Sequence, residues 1–329
     1  MKKKNCSIIG VGRMFFFHHY KNLKKNHFLI NKVFAPRKKL LKHMSKKLSL
    51  KDSHSNISEF LKDNNTKYFF FFLPRDISFF YLKKILKKKN IFIFIEKPPV
   101  LYKKNFDDIL RLLIKNNNKL FIAFQFRYSI LLKKFKNNFK SVNRIDEINA
   151  EISLNYRMEK NFPYLKKDKL PSYIKEKVPK KFVPDNIKYK IFINRYSHLF
   201  NIIFYLFNDL KIKKIEFYDN YNYLILGEVL KKKIYIKINN NSNYRVSLKI
   251  KYKNVSKQIK FKFNNKNFIT KINLSRKKTQ TKYEDLYLNE IKNFLHLNHS
   301  EYKKQISDFK KTLKISEKCS LRFNNKKIN

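Results

Sequence analysis

The sequence predicts an α/β protein with two domains, a doubly wound parallel sheet followed by an α+β domain with an open antiparallel sheet. Three observations predict this fold class. Two glycines follow a short apolar run near the N-terminus, apolar runs alternate with amphipathic segments in the first 126 residues, and alternating apolar and polar residues fill 211–275. We place the first domain at 1–126 and the second at 127–329.

The strands of the first domain are predicted from continuous apolar runs, which are typical of parallel strands covered on both faces. The predicted strands are 7–11, 27–34, 67–74, 90–100 and 119–127. The segments between them place apolar residues three and four positions apart, which is the helical spacing. The predicted helices are 13–25, 35–44, 56–65, 76–89 and 105–118. Strand and helix therefore alternate, as a parallel sheet requires.

The second domain has a different pattern, in which strands follow one another without intervening helices. Six alternating segments with Asn-rich breaks predict an antiparallel meander with one wet face over 211–275. The segment 189–209 starts with strand character and passes into a helix. The remaining predicted elements are a helix at 127–139, a strand at 145–157, a proline-rich loop at 158–190 and helices over 283–317.

The charge of the chain bears on its partners. A net charge of +53 could indicate nucleic-acid binding, because a basic surface attracts phosphate. However, the lysines are spread over the whole length, and Lys, Asn, Ile, Phe and Tyr are all abundant while glycine is scarce. This set of residues indicates an AT-rich coding composition, and a nucleic-acid site would gather its charge locally. We therefore expect no specific nucleic-acid partner.

Cysteine content and hydropathy bear on the compartment. Cys6 and Cys319 are far apart and lack metal-ligand spacing, so neither a disulfide framework nor a zinc site is expected. The apolar run behind the basic N-terminus is broken by Arg13 and His18, so no signal peptide is expected. The apolar segment 191–207 contains polar and charged residues, which argues against a membrane span. A cytoplasmic protein is expected.

The paired glycines indicate a dinucleotide site. Gly10 and Gly12 are two of only three glycines in the chain, and they lie between a predicted strand and a predicted helix. The first such glycine permits the tight turn, the second lets the backbone approach a pyrophosphate, and the helix N-terminus receives the anion. The third glycine position is Phe15, so the motif is incomplete and a plain strand-to-helix turn remains the alternative.

The end of the second strand bears on the choice between NAD and NADP. An acidic residue that holds the ribose hydroxyls of NAD is expected here, but the position is Ala35. Arg37 follows two residues later and could bind the extra phosphate of NADP. The missing acid and the nearby arginine favour NADP. An equally good interpretation is that Arg37 belongs to a basic helix start that is exposed to solvent.

Ligands of doubly wound sheets lie outside the carboxyl ends of the strands. Lys97 is at such an end, where partial desolvation and a nearby cationic nicotinamide would both lower its pKa toward neutrality. Such a lysine could exchange a proton with a substrate, although it could also be one solvated lysine among many. The other residues at strand ends are Arg13, Pro74, Glu96 and Gln125.

Four motifs, in their order and spacing, resemble the Gfo/Idh/MocA family, which includes glucose–fructose oxidoreductase and inositol dehydrogenase. The resemblance implies a Rossmann domain that binds NAD or NADP and a C-terminal domain that forms the substrate wall. It also implies that Lys97 bonds the reacting hydroxyl or carbonyl, that Glu96 and Pro98 fix the backbone of Lys97, and that Pro74 contacts the cofactor. The motifs are SIIGVGRM, YFFFFLPRD, IFIEKPPV and FIAFQFRYS.

The same resemblance implies a catalytic role for His198. Many family members carry Asp-x-x-x-His at this place, with a further Asp three residues on, whereas this chain has Asn194, His198 and Asn201. Asn can bind a sugar hydroxyl, but it supplies no charge and takes no proton. The two amides argue against polyol dehydrogenation of the inositol type and leave room for another carbonyl or an imine substrate.

Together these observations predict an NAD(P)-dependent oxidoreductase that moves a hydride between nicotinamide and a sugar-like or small carbonyl or imine substrate. A homodimer or homotetramer is expected, because the apolar side of the antiparallel sheet must be covered. The resemblance implies that another subunit covers it. The alternative is a catalytically decayed cofactor-binding or assembly protein, with Phe15, Ser78 and the two amides as marks of decay. The catalytic residues are expected to be Lys97 and His198, the substrate-binding residues Asn194, Tyr128 and Arg127, and the cofactor-binding residues Gly10, Gly12, Arg13, Met14, Arg37, Pro74, Glu96 and Lys97, with no metal ligand.

Overall fold

The structure is a computed structural model, and it forms two compact units. The first unit contains the chain up to Ala123 together with Glu290–Ser307, and the second contains the described parts of 124–289 and the chain from Asp308 onward. We therefore propose two domains between which the chain passes near residue 124, near 290 and near 308, rather than one division at 126. The described residues are 3–137, 145–153, 187–218, 222–239, 244–252, 255–264, 267–275, 278–296 and 298–324.

The first unit contains the predicted parallel sheet. Its six strands all pair in parallel in the order β3-β2-β1-β4-β5-β6, which confirms the doubly wound class. The edge strand β3 was not predicted, because its three residues are polar and half-buried. The strands are β1 (Lys4–Ile9), β2 (Phe28–Phe34), β3 (Asp52–His54), β4 (Tyr68–Phe71), β5 (Phe92–Glu96) and β6 (Lys119–Ala123).

Helices connect these strands, and all five were predicted. The first helical segment is unusual, because a π-helical turn, Phe15–His19, precedes the α-helical part. The predicted sixth strand was too long: it ends at Ala123, and a 3-10 helix follows at Gln125–Tyr128. The helices are α1 (Tyr20–Lys25), α2 (Lys38–Leu48), α3 (Ile57–Leu61), α4 (Arg75–Ile85) and α5 (Lys103–Lys115).

An aromatic core explains why residues near 290 belong to the first unit. Phe294 lies edge-on to three strand residues, with ring centroids 5.4 Å from Phe70, 5.7 Å from Phe94 and 5.5 Å from Phe121. Gln305 then completes the edge of the sheet: its amide donates to the Ile122 carbonyl at 2.8 Å and its carbonyl accepts from the Ile122 N–H at 3.1 Å. The C-terminal segment thus supplies both core and edge cover.

The second unit contains an eight-stranded sheet in the order β14-β13-β12-β11-β7-β10-β9-β8. It is antiparallel except for the parallel pair β7–β10, so the predicted meander is interrupted by β7, which lies between β10 and β11. The strands are β7 (Ile145–Ser153), β8 (Lys211–Phe217), β9 (Tyr223–Val229), β10 (Lys232–Asn239), β11 (Arg245–Tyr252), β12 (Val255–Asn264), β13 (Asn267–Ser275) and β14 (Lys278–Glu284).

Among the described residues, four further helices follow: α6 (Ile130–Asn137), α7 (Ile187–Phe207), α8 (Leu286–Leu295) and α9 (His299–Asn324). The strand predicted at the start of 189–209 is wrong, because α7 is helical from Ile187. A short apolar run does not distinguish a strand from a buried helix, which explains the error. Most of the predicted proline-rich loop, 158–186, lies outside the described residues.

The apolar face of the second sheet is covered within the chain. Strand residues such as Ile148, Ile236 and Ile250 are fully buried, while α7 packs on β7 and α6 on β13. The residues that alternate with them form cross-strand ion pairs on the other face, Arg245–Glu151 and Lys251–Glu147, both at 2.7 Å. The predicted need for a second subunit to cover apolar strands is therefore wrong for the described residues. Among those residues, no helix combines the length and apolar character needed to cross a membrane.

Candidate active site

The turn after β1 requires glycine at its first position. Gly10 has a φ of +99°, and a Cβ there would lie 2.7 Å from the Phe72 carbonyl carbon and 2.8 Å from the Leu73 nitrogen. Such contacts are shorter than any side chain tolerates. Hydrogen bonds fix the approach, since the Gly10 N–H donates to Phe34 O at 2.7 Å and the Phe72 N–H donates to Ile9 O at 2.7 Å. Gly10 therefore lets the turn lie against the end of β4.

Gly12 faces open space instead. A Cβ at this position would meet no atom within 4 Å. The helical segment begins at the next residue, Arg13, so the first-turn N–H groups without helical partners follow directly. This arrangement fits a pyrophosphate. A groove at this turn is lined by Gly10, Val11, Gly12, Ala35, Pro36, Arg37, Leu40, Phe72, Leu73, Pro74 and Ile77.

Phe15, at the third glycine position, does not line this groove. Its side chain is fully buried, with ring centroids 5.6 Å from Phe72 and 5.7 Å from Tyr20. The π-helical turn that starts at Phe15 has a wider helical path than an α-helix, and it accommodates the ring in the core. The missing glycine therefore leaves the groove open.

Two further groove residues were predicted from the sequence. Pro74 precedes α4, and its loop is fastened by Ser78, whose hydroxyl donates to Pro74 O at 3.1 Å and to Leu73 O at 3.3 Å. Arg37 is half-buried at the start of α2, and the residues that line the groove include no acid. Ser78 thus has a structural role, and binding of an added phosphate by Arg37 stays a prediction. Met14, like Arg13, begins the helix beside the groove, and the contact of either with a cofactor stays a prediction.

Lys97 directly follows the carboxyl end of β5 and is half-buried. Burial lowers the pKa of its ammonium group to about 8, because desolvation disfavours the charged form. The carboxylates of Glu96 and Glu290 oppose this shift, whereas the Arg75 guanidinium adds to it. The peptide bond between Lys97 and Pro98 is cis. The lowered pKa that the sequence predicted for Lys97 is therefore present in the structure.

A cluster of three ionisable side chains next to Lys97 was missed by sequence reasoning. The Nε2 atom of His19 lies 2.6 Å from Glu96 Oε1 and 3.9 Å from Glu290 Oε1. The side chains of His19 and Glu290 are fully buried, and that of Glu96 is 12% exposed. Two weak signals were present in the sequence: a pair of adjacent histidines in the first helix, and a glutamate in an apolar helix near the C-terminus.

The second unit holds the other predicted site residues. His198 on α7 is buried, with its ring centroid 5.1 Å from Phe126 and 6.0 Å from Phe124. Tyr128 is also buried, at the end of the 3-10 helix. The structure thus brings His198 to the aromatic residues around Gln125–Tyr128.

Arg127 and the two amides have different environments. The Arg127 guanidinium forms a 2.9 Å ion pair with the fully buried Asp308 and lies over the Tyr205 ring. The shown contacts of Arg127 are thus structural, and its binding of substrate stays a prediction. Asn194 is half-buried, and Asn201 is buried with neither side-chain polar atom hydrogen-bonded to the described part of the chain. The joint action of Lys97 and His198 on one substrate also stays a prediction.

Comparisons with known proteins bear on the family and the fold. Residues 4–124 match the Gfo/Idh/MocA family model, described as an oxidoreductase family with an NAD-binding Rossmann fold. No curated protein sequence matches the chain significantly. The family match confirms the predicted resemblance, the enzyme class of NAD(P)-dependent oxidoreductases, and NAD or NADP as the cofactor class.

Solved structures share the fold over nearly the whole chain. A dehydrogenase (MviM) from Clostridium difficile is 16% identical with a TM-score of 0.71, covering 97% of this chain and 99% of that one. KijD10, a 3-ketoreductase from Actinomadura kijaniata in complex with NADP and TDP-benzene, is 9% identical with a TM-score of 0.70, covering 94% and 96%. UDP-N-acetylglucosamine 3-dehydrogenase GnnA from Acidithiobacillus ferrooxidans is 11% identical with a TM-score of 0.67, covering 96% and 98%. The fold class predicted for both domains is confirmed.

Proposed function

We propose that this chain, with the Rossmann domain of the Gfo/Idh/MocA family, is an NADP-dependent oxidoreductase acting on a carbonyl or imine carbon of a sugar-like or small substrate. One observation carries the proposal. Lys97 follows a parallel strand in the unit that holds the glycine groove, and its pKa of about 8 suits proton exchange near neutral pH.

Lys97 would supply the proton that the reduction needs. A nicotinamide cofactor bound in the groove would be the source of the hydride. As negative charge develops on the carbonyl oxygen, the Lys97 ammonium donates a hydrogen bond to that oxygen and then transfers its proton to form the alcohol. In the oxidation direction, neutral Lys97 takes the hydroxyl proton as the hydride leaves the carbon. A partly desolvated lysine can do both, because its two protonation states are close in free energy.

His198 would be the second acid/base group, with Asn194 and Tyr128 orienting the substrate. This assignment rests on the family resemblance and on the burial of His198 beside Phe126. A buried imidazole can hold a proton at a fixed position, and an amide can bind a hydroxyl without changing its charge. The sugar-like class is further supported by the neighbours, since one is a 3-ketoreductase crystallised with TDP-benzene and another a UDP-N-acetylglucosamine dehydrogenase.

NADP is favoured over NAD by the end of β2. Ala35 stands where an acid would bind the ribose hydroxyls of NAD, and Arg37 lines the same groove. A guanidinium binds a phosphate through two parallel hydrogen bonds, which a hydroxyl cannot match. The chain would therefore use Arg37 to hold the added phosphate.

Cofactor binding and turnover test the proposal in sequence. NADPH is titrated against the purified protein at physiological salt while nicotinamide fluorescence is followed, with Gly12→Val as the variant that fills the open space of the groove. Saturable binding in the wild type and its loss in Gly12→Val are expected. NADPH oxidation over a panel of sugar-like carbonyls, lost in Lys97→Ala, would then establish catalysis, and absent NADPH binding would refute the proposal.

A decayed protein of the same fold is the second candidate. It is favoured by the amides Asn194 and Asn201, which stand where many family members carry acids, and by the Asn201 side chain, which forms no hydrogen bond with the described part of the chain. This candidate predicts tight NADPH binding with no turnover on any substrate, and no change in either measurement when His198 is replaced by Gln. Turnover that depends on Lys97 would exclude it.

We further propose a cytoplasmic homodimer or homotetramer. Its support is limited to the open face of the second sheet, where half-buried Leu226 and Tyr235 are direct cross-strand partners among the ion pairs. Light scattering during size-exclusion chromatography would give the mass, and replacing Leu226 and Tyr235 together with Lys should yield monomers. A wild-type mass equal to one chain would contradict this part of the proposal.

A further inference from the structure

A group of three ionisable side chains lies next to Lys97, and the proposed reaction gives none of them a role. It consists of His19 in the π-helical turn, Glu96 at the end of β5 and Glu290 in α8, and we call it the His19 cluster. The His19–Glu96 contact, at 2.6 Å, is a short hydrogen bond. Since Glu96 is adjacent to Lys97 in the chain, the cluster ends at the proposed proton donor.

The packing of His19 leaves its ring in one orientation. The ring stacks on Phe72 with centroids 4.5 Å apart and planes 24° apart, and it meets Phe94 edge-on at 5.5 Å. It is fully buried. A ring held on two sides by aromatic side chains cannot rotate away from Glu96 without displacing core residues, so the position of its Nε2 atom is set by the sheet itself.

The charges around Lys97 connect this hydrogen bond to the balance between the charged and neutral forms of the lysine. Lys97 faces three charged groups from three elements: Glu96 from β5, Glu290 from α8 and Arg75 from α4. Desolvation and Arg75 disfavour the ammonium, and the two carboxylates favour it. The effect of Glu96 on the ammonium depends on the distance between the two groups, and the hydrogen bond from His19 fixes where the Glu96 carboxylate lies.

We propose that His19 is a positioning residue: by donating its Nε2–H to Glu96, it holds that carboxylate beside Lys97, where the carboxylate favours the ammonium form of the lysine. The inference rests on the proposed function for the reaction that Lys97 serves, but the coupling of the three side chains exists with or without a substrate.

The direction of the effect follows from the signs of the charges. The pKa of Lys97 is already lowered to about 8, mainly by desolvation. Removing the donor from His19, or the charge from Glu96, removes an opposing influence, so the pKa of Lys97 falls further. A shift of about one pH unit is expected, since an opposite charge in close contact moves a pKa by roughly one to three units.

The experiment measures Lys97 directly, without a substrate. The intact chain is labelled briefly with acetic anhydride at a series of pH values, and the label on Lys97 is quantified by peptide mass spectrometry. Because only the neutral amine reacts, the labelling midpoint reports the pKa, and it is expected near 8 in the wild type. In His19→Phe, which keeps the stacked ring, and in Glu96→Gln, the midpoint should fall by about one unit.

Two further variants separate the hydrogen bond from packing. His19→Gln loses the ring but keeps a donor, so its midpoint should return toward that of the wild type. His54→Phe is the matched control, because His54 pairs with Asp52 at 2.5 Å in the same unit but belongs to β3 and is not among the groups that act on Lys97. Should His19→Phe fail to fold, His19→Met, which also lacks the donor, replaces it.

An unchanged midpoint in folded His19→Phe or His19→Met would overturn the inference. A midpoint as low in His19→Gln as in His19→Phe would do the same, since packing alone would then explain the effect, and so would an equal shift in His54→Phe. These outcomes differ from failure of the proposed function. A protein that binds no NADPH refutes the oxidoreductase but leaves the labelling shift intact, whereas an active protein without the shift refutes only the role of His19.

Discussion

Gly10 and Gly12 are two residues apart, yet they meet different physical demands. Gly10 is required by the fold, because its φ is positive and a Cβ would strike the backbone of Phe72 at 2.7 Å. Gly12 is required by the proposed ligand, because a Cβ there meets nothing within 4 Å. The motif therefore contains one glycine that the fold requires and one that we propose the cofactor requires.

This difference gives the first prediction. Gly10→Ala should lower the free energy of unfolding by about 2–4 kcal/mol, from left-handed backbone strain and overpacking together. Gly12→Ala should change it by less than about 1 kcal/mol but weaken NADPH binding. Urea unfolding and fluorescence titration measure the two effects, each variant serving as control for the other. Equal losses of stability would show that the two glycines play the same part.

Arg37 gives the second prediction. Arg37→Glu should reduce NADPH affinity at least tenfold and improve NADH affinity, because a carboxylate repels the added phosphate and can bind a ribose hydroxyl. The measurement is the ratio of the two dissociation constants. Lys39→Glu makes the same charge change at an exposed position of α2 and should leave the ratio unaltered. An equal change of the ratio in both variants would indicate a long-range electrostatic effect of the changed net charge rather than direct binding of the phosphate by Arg37.

The lowered pKa of Lys97 gives the third prediction. The proposed reduction needs the ammonium form, so kcat/KM for reduction should fall as pH rises through about 8, while kcat/KM for oxidation should rise over the same range. Lys97→Arg stays charged throughout and should lose this dependence along with most activity. A wild-type reduction profile that is flat between pH 7 and 9 would contradict the role of Lys97.

Sequence reasoning can select residues whose type and place after a strand are unusual, but it cannot select residues that matter because distant parts of the chain meet. Gly10, Gly12 and Lys97 stand out from their neighbours by type and by place after a strand. His19 does not, because His18 beside it is an equal choice and only the π-helical turn decides which ring is buried. Glu290 is about two hundred residues from Glu96, so no local pattern joins them.

At the level of elements, the pattern of burial explains what could be predicted. Strands β4 and β5 are almost wholly apolar, because both faces of a parallel sheet are covered. The edge strand β3, with sequence Asp-Ser-His, has no such signature. The place of β7 between β10 and β11 was also beyond sequence reasoning, because alternation shows that a segment is a strand but not which strand it pairs with.

The π-helical turn gives the fourth prediction. A π-turn contains one residue more than the α-helical turn it replaces, and Phe17 is its most exposed large residue at 57%. Deleting Phe17 should therefore restore a continuous α-helix, with the flanking residues keeping their orientation and unfolding free energy within about 1 kcal/mol of the wild type. Urea unfolding measures the free energy of unfolding, and the labelling midpoint of Lys97 shows whether the His19–Glu96 contact is kept.

A second deletion provides the control for the π-turn. Lys21 is exposed, like Phe17, but lies in the α-helical part, so its loss turns the following residues by about 100° and takes Leu23 out of the core. Deleting Lys21 should cost several kcal/mol by exposing Leu23. If the two deletions were equally destabilising, the turn would be a necessary part of the helix rather than an added residue.

On the scale of the whole molecule, the path of the chain differs from a simple two-domain division. Glu290–Ser307 belongs to the first unit, where Phe294 packs among the strand aromatics and Gln305 pairs with β6. A single boundary near residue 126 does not describe the return of the chain to the first unit at Glu290–Ser307. Nothing in the local composition distinguishes Phe294 from the apolar residues that serve the second unit, so only the packed structure assigns it.

Net charge is the other property of the whole molecule, and it gives the fifth prediction. A charge of +53 spread along the chain should bind duplex DNA non-specifically at 50 mM salt and lose that binding at least a hundredfold by 200 mM, because each phosphate contact releases counterions. Fluorescence anisotropy with a duplex and its scrambled counterpart measures the DNA affinity at each salt concentration and its dependence on sequence. Equal affinities for the two duplexes are expected. NADPH binding, which uses a formed groove, should weaken far less over the same range. A DNA complex that prefers one duplex and persists at 200 mM would mean that the charge is organised into a recognition surface, and the compositional explanation of the lysines would fail.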